Sequence, residues 1–346
     1  MKIFQFLTSL LVVWGIAVPA SAEKICPQGS MTIGLFGNSS AEVPYEVAHK
    51  KGWFKEAGLC VRLWHAGKLS VHGILGGLRN GELQIVSSVS LYGLCPRFKV
   101  KCTVVAVFTR HPGLVLLAHK DDKRISRAAF GGVKMAVQRC ANGVPKGLGP
   151  TMVRAHFSQN RINTPLRCIG SDLPEGVTSQ QVLHAVPLGG TPKRKSAFEL
   201  GEVDLVMLSD IVAGPMLATG KYRIVLANKE FLLPVTSGIT VRQDFLKANR
   251  DAVRAFVQVT RRAFAYLDTH PEEYVAHLAK MVGLEKKVKH PADQFGVKAF
   301  WVKTLHESML SEIDTNAVMR QRIAEFFRFY NDNPSYQFPL NGYDPL

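Results

Sequence analysis

The sequence predicts an α/β protein of two lobes, each a mostly parallel sheet flanked by helices, with a helical C-terminal tail. Three observations carry this. Val43–Trp64 reads as a short helix followed by an alternating strand. The surrounding order, strand–helix–strand–helix–strand, favours parallel pairing. The middle of the chain then repeats that order.

The opening residues read as a targeting segment. Met1-Lys2 supplies a positive charge, Leu7–Val18 is apolar, and Ala20-Ser21-Ala22 offers a small-residue cleavage site. The apolar run is too short to span a bilayer easily, so residues 1–22 are expected to be a removed signal peptide and the mature protein to be exported. No later stretch reads as a membrane span. The 346 residues allow one large or two ordinary domains, and 47% hydrophobic content supports a sizeable core. The net charge of +16 is scattered, with short clusters at Lys193-Arg194-Lys195 and Lys286-Lys287 that read as solvated surface. No basic stripe interleaved with aromatics occurs, so nucleic acid is not an expected partner.

Six cysteines in an exported chain point to disulfides. The expected pairs are Cys26 with Cys60, Cys95 with Cys102, and Cys140 with Cys168, one choice among fifteen connectivities. None has CxxC spacing, so neither a metal nor a redox site is expected.

In the first lobe, Met31–Phe36 is a strand. Val47, Ala48 and Trp53 share one helical face, and Cys60–Trp64 alternates as a strand. Ser70–Asn80 is a helix and Gly81–Ser87 a strand. The second lobe starts with the strand Val133–Gln138, the helix Gly149–Asn160 with Pro150 near its start, and the strand Leu166–Ile169. Leu200-Gly201-Glu202-Val203-Asp204-Leu205-Val206 echoes Asn80-Gly81-Glu82-Leu83-Gln84-Ile85-Val86, each a helix closed by Gly and followed by a strand. The crossings fall near Thr103–Arg110 with Leu114–His119, and near Lys221–Leu226 with Gly238–Val241. Lobe one is therefore expected to hold residues 23–112 and 226–346, and lobe two residues 113–225. In the tail, Asn249 is expected to cap a helix running to Asp268, with Val253, Phe256, Val257, Phe264 and Leu267 on its apolar stripe. Phe300–Leu310 and Ala317–Phe329 add further amphipathic turns.

Ligands of open parallel sheets bind outside the carboxyl ends of the strands, and two facing lobes would form a cleft that closes by hinge motion. The residues just after strands are thus the candidates: Gly37-Asn38-Ser39-Ser40, Ala66-Gly67-Lys68, Ser87-Ser88-Val89-Ser90, Cys140-Ala141-Asn142-Gly143 and Ser209-Asp210, with Arg110 near a crossing. Ser, Asn and Asp at such positions also serve as helix caps. Free backbone N–H groups and helix N-termini there favour an anion, and Arg110 could recognise one in a bidentate way. Asp210 points the other way, toward an amine or heterocyclic N–H donor.

Several segments resemble landmarks of the periplasmic substrate-binding proteins of ABC importers, in the branch handling sulfonates, nitrate, taurine and thiamine precursors. They are Lys51-Gly52-Trp53-Phe54, Asn80-Gly81-Glu82, Gly131-Gly132-Val133-Lys134-Met135-Ala136-Val137, Gly201-Glu202-Val203-Asp204 and the helix from near Asn249. The resemblance implies a type II periplasmic-binding fold, a small-molecule ligand delivered to an ABC permease in the inner membrane, a periplasmic monomer, and no cofactor. It adds Ser237 to the ligand-facing residues and supports Gly67, Lys68, Ser88, Ser90, Asn142 and Asp210. The chain departs from the family in having Val89-Ser90 after the third strand and no aromatic near Ser209-Asp210.

Two alternatives stand beside this. One is a ligand-binding sensory or adaptor protein. The other is an enzyme related to pyrimidine synthases of the same fold, but no Cys cluster occurs. His49, His65 and His72 lie on different elements, and neither a G-x-S-x-G elbow nor a P-loop is present. The chain is expected not to be an enzyme.

Overall fold

The structure is a computed structural model that describes residues 29–37, 39–66, 70–109, 113–231, 237–308, 316–331, 337 and 339–346. Thirteen strands are present among them: β1 Ser30–Leu35, β2 Cys60–His65, β3 Ile85–Val86, β4 Cys102–Val107, β5 Leu114–His119, β6 Lys134–Val137, β7 Arg139–Ala141, β8 Val144–Lys146, β9 Leu166–Cys168, β10 Leu183–Pro187, β11 Leu205–Ser209, β12 Tyr222–Leu226 and β13 Gly238–Arg242. The helices around the first sheet are α1 Val43–Lys50, α2 Trp53–Glu56 and α3 Ser70–Asn80. Those of the middle region are α4 Leu148–Gln159, α5 Thr191–Glu199 and α6 Asp210–Leu217. The C-terminal run is α7 Gln243–Ala248, α8 Arg250–Thr269, α9 Pro271–Val282, α10 Leu284–Lys287, α11 Pro291–Ser308 and α12 Asn316–Asn331.

The strands form two main sheets, ordered β2-β1-β3-β13-β4 and β12-β5-β11-β6-β10-β9. Among the described residues both are mixed: the first has two parallel and two antiparallel pairings, and the second is mostly parallel, with three against two. The strands joined by helices pair in parallel (β2-β1-β3 and β11-β6-β10-β9), as a helical crossover requires. The strands next to the two crossings, β4, β13, β5 and β12, pair antiparallel, because there the chain leaves one sheet for the other instead of returning over a helix.

The echoed Gly81 and Gly201 have φ of +83° and +76°, the left-handed conformation that ends α3 and α5 at little cost. In α8, Val253, Phe256, Val257, Phe264 and Leu267 are all buried against the outer face of the first sheet, together with α1, α2 and α9. Asn249 stands at the start of α8, but its side chain donates back to Phe245 O at 3.1 Å instead of capping the helix. A second core lies outside the other sheet, under α5 and α6. A third runs between the sheets, joining Val86 and Val104 to Met135 and Leu183, with α3, α4 and α12 packed into it.

The basic cluster at 193–195 is not all surface. Arg194 is buried and donates to Gly189 O, Met207 O and Thr191 Oγ1. Cys95–Cys102 and Cys140–Cys168 are both bonded. Cys26 lies outside the described residues. Among the described residues, no helix is long and apolar enough to cross a membrane, and no group of His, Cys, Asp or Glu could hold a metal.

Candidate functional site

A cavity of about 220 Å³ opens where the carboxyl ends of parallel strands from both sheets face each other. From the first sheet it is lined by Phe36 after β1, by Glu42, by Ser87, Ser88 and Ser90 after β3, and by Leu91 and Leu94. From the second it receives Gln138, just after β6, and Leu148, which opens α4. Tyr330 of α12 completes the wall.

Glu42 is the polar centre of this cavity. It immediately precedes α1, whose first turn contains Pro44, so the partial positive charge of the helix end favours a carboxylate there. The residue is buried, yet its oxygens are well supplied. Oε1 accepts from Phe36 N at 2.6 Å and from Ser87 Oγ at 2.8 Å, and Oε2 accepts from Gly37 N at 2.8 Å. Burial pushes this carboxyl up, and the three donors pull it back toward the ionised form. Nearby, Ser88 Oγ and Ser90 Oγ lie 2.8 Å apart, while Ser88 O accepts from Thr240 Oγ1. The cavity therefore offers hydroxyl, amide and phenol groups and one carboxylate against walls of Phe36, Val71, Leu91, Leu94 and Leu148.

A second polar cluster lies where the chain crosses between sheets. Asp210 opens α6 directly after β11 and is 1% exposed. Its Oδ1 accepts from Ser40 Oγ and from Ile211 N, both at 2.7 Å. Its backbone N–H donates to Gly113 O, and its carbonyl accepts from Trp301 Nε1 at 3.0 Å. Burial pushes the carboxyl up to about 6 against the pull of Ser40 and Ile211. Around it Ser40, Thr109, Gly113, Ser237 and Tyr274 enclose only about 30 Å³, room for little more than a water. Ser237 Oγ is buried there and makes no hydrogen bond within the protein.

The residues expected from the sequence thus divide. Ser88 and Ser90 line the cavity. Asp210 and Ser237 sit together in the small crossing pocket instead of the cavity. Asn142 stands at the exposed tip of the β7–β8 hairpin, where Asn142 and Gly143 both have positive φ, and the residue that enters the cavity from β6 is Gln138. Asn-Gly is a strong signal for a two-residue hairpin turn, and it outweighs the expectation of a loop at the sheet's ligand edge. Asn38, Gly67, Lys68 and Arg110 lie outside the described residues. Ser87, at the start of the same stretch after the third strand, lines the cavity too, whereas Glu42, Gln138 and Tyr330 are additions that the strand-end rule missed. A signal for Glu42 was present in Ser39-Ser40-Ala41-Glu42, the spacing in which an acidic side chain reaches back over a helix start. Here it reaches past Ser39 to the amides of Phe36 and Gly37.

Residues 174–274 match the family model described as NMT1/THI5 like. No curated protein matches the chain. Among solved structures, the alkanesulfonate-binding protein SsuA from Xanthomonas axonopodis pv. citri, bound to MOPS, is similar at 14% identity and TM-score 0.63, over 92% of this chain and 98% of that one. The periplasmic aliphatic sulphonate binding protein SsuA from Escherichia coli is similar at 17% identity and TM-score 0.61, over 88% and 89%. A Candida albicans protein described as exhibiting the generic periplasmic binding protein structural fold is similar at 12% identity and TM-score 0.51, over 86% and 95%. At these identities the likeness establishes the fold, which is that of the periplasmic binding proteins.

Proposed function

We propose that this protein is the extracytoplasmic solute-binding component of an ABC importer, taking a small organic ligand into the cavity between its lobes and delivering it to a permease. The observation that carries the reading is the cavity itself. It is lined from both sheets at the carboxyl ends of parallel strands, the position where open α/β sheets bind ligands, and the links from β4 to β5 and from β12 to β13 carry the chain between the sheets as hinges would. The NMT1/THI5-like segment and the naming of two similar structures as sulfonate-binding proteins support the same class. In this reading the lobes are residues 23–112 with 226–346, and 113–225. Residues 1–22 are a cleaved export signal, and the mature protein is a periplasmic monomer. It binds its ligand without converting it, as the similar structures named as binding proteins do. Of the ligand residues expected from the sequence, Ser88 and Ser90 are the ones this reading places against the ligand.

The test is a thermal-shift screen of ligand-stripped, refolded protein with its disulfides intact. A ligand that binds only the folded state at one hundred times its Kd adds about 2.7 kcal/mol of stability. A compound that raises Tm and is recovered unchanged fits the reading. Turnover of the stabilising compound would replace it with an enzyme.

A further inference from the structure

We infer that the interlobe cavity selects against anions and takes a compact, apolar molecule, uncharged or cationic, that presents N–H donors to Glu42. This rests on the cavity being the ligand site. The backbone amides at the end of a parallel strand, next to a helix start, are the groups that would ordinarily hold an anionic ligand. Here the amides of Phe36 and Gly37 already donate to Glu42, at 2.6 Å and 2.8 Å. The protein's own carboxylate thus stands where a sulfonate or carboxylate of the ligand would bind.

Three donors occupy Glu42: Phe36 N–H, Gly37 N–H and Ser87 O–H. A carboxylate has about four acceptor positions, so one on Oε2 remains for a ligand N–H. Glu42 is the only charged side chain among the described residues that line the cavity. An anion placed there would meet a like charge in a site of low dielectric, whereas an N–H donor would complete the carboxylate's hydrogen bonding. Phe36, Leu91, Leu94 and Leu148 supply apolar surface for the rest of the ligand, and Ser88, Ser90 and Gln138 supply groups that can both donate and accept. Glu42 is therefore a specificity residue of this cavity.

Three probes with the same ring and different heads test this: benzamidine, benzamide and benzenesulfonate, titrated calorimetrically into ligand-stripped protein. Benzamidine is expected to bind at least tenfold more tightly than benzenesulfonate, with benzamide between them. In Glu42→Gln the spread between benzamidine and benzenesulfonate is expected to shrink to within threefold. Benzenesulfonate binding as tightly as benzamidine, or an unchanged preference in E42Q, would overturn the inference. If E42Q fails to fold, the wild-type order alone decides. Binding of none of the three also overturns it, and the thermal-shift screen then separates the two levels. Stabilisation by some other compound leaves the binding-protein reading standing, and stabilisation by none counts against that reading too.

Discussion

Glu42 and Asp210 are two buried carboxylates built the same way. Each follows a strand, each sits at the start of a helix, and each is pushed up by burial while hydroxyl and backbone donors pull it down. Their surroundings differ. Glu42 borders a cavity of about 220 Å³ that both sheets share. Asp210 is enclosed in about 30 Å³ beneath Tyr274 and beside Trp301, which arrive on α9 and α11. A carboxylate after a strand thus borders an interlobe cavity in one place and is an internal tie in the other. The decision is made by what packs over it, not by its own neighbours in sequence.

The sharpest way to break this contrast is to remove a side chain that packs against Asp210. Trp301 is fully buried and its Nε1 holds the Asp210 carbonyl. Trp301→Ala is expected to cost about 4 kcal/mol in urea denaturation at neutral pH, from the cavity and the orphaned acceptor together. A cost below about 1 kcal/mol would show that α11 does not seal Asp210.

The next effect is in pH. Asp210 has its carboxyl at about 6 in the folded protein, against 3.8 when unperturbed. The folded state holds the proton more tightly, so this residue's contribution is fully present below about pH 4. It is lost as pH rises toward 6 and is constant above that. A gap of about two units is worth roughly 3 kcal/mol. Urea midpoints measured from pH 4 to 7 should therefore fall with rising pH, with a further slope of the same sign from Glu42. Asp210→Asn should flatten most of that fall; a slope identical to wild type would refute the assignment.

Smaller effects sharpen the wet side of the comparison. Glu42→Ala orphans the amides of Phe36 and Gly37, but water from the cavity can replace the carboxylate. Its expected cost is about 1 to 2 kcal/mol in the same assay, clearly less than that of Asp210→Ala, which leaves Ser40 and Ile211 N–H dry. Equal costs would mean the two sites are equally sealed. Ser237→Ala should leave stability unchanged or raise it by up to about 1 kcal/mol, because its buried hydroxyl makes no hydrogen bond to lose among the described residues.

Much of the fold could be read from the chain because its signals are local. Gly81 and Gly201 end helices in the same conformation, and the stripe on α8 is buried as its spacing requires. The parallel strands follow from their intervening helices. The mixed character of the sheets was not legible, because strand direction at the crossings depends on where the chain re-enters a sheet. The cavity was legible at Ser39 and at Ser87, Ser88 and Ser90, the residues that follow β1 and β3. Asp210 and Ser237 carried the right residue types, but Tyr274 and Leu305 close over that pocket from α9 and α11, much later in the chain. Gln138 was displaced by the β7–β8 hairpin, whose Asn142-Gly143 turn reads as punctuation once the hairpin is recognised. Tyr330 reaches the cavity from α12, and nothing in the local sequence of that helix indicates its destination.

That helix is anchored at both sides of the gap. A Cβ at Gly93 would collide with Phe327, so glycine gives the ring a flat seat on the first half of the molecule. Arg154 of α4 holds the Phe329 carbonyl from the second half at 2.9 Å. The C-terminal helix is therefore a brace, and swinging the halves apart must either carry it along or unseat one end. Under the proposed two-lobed reading, the reach of any opening would then be set at Phe327 and Phe329, by whichever anchor yields first.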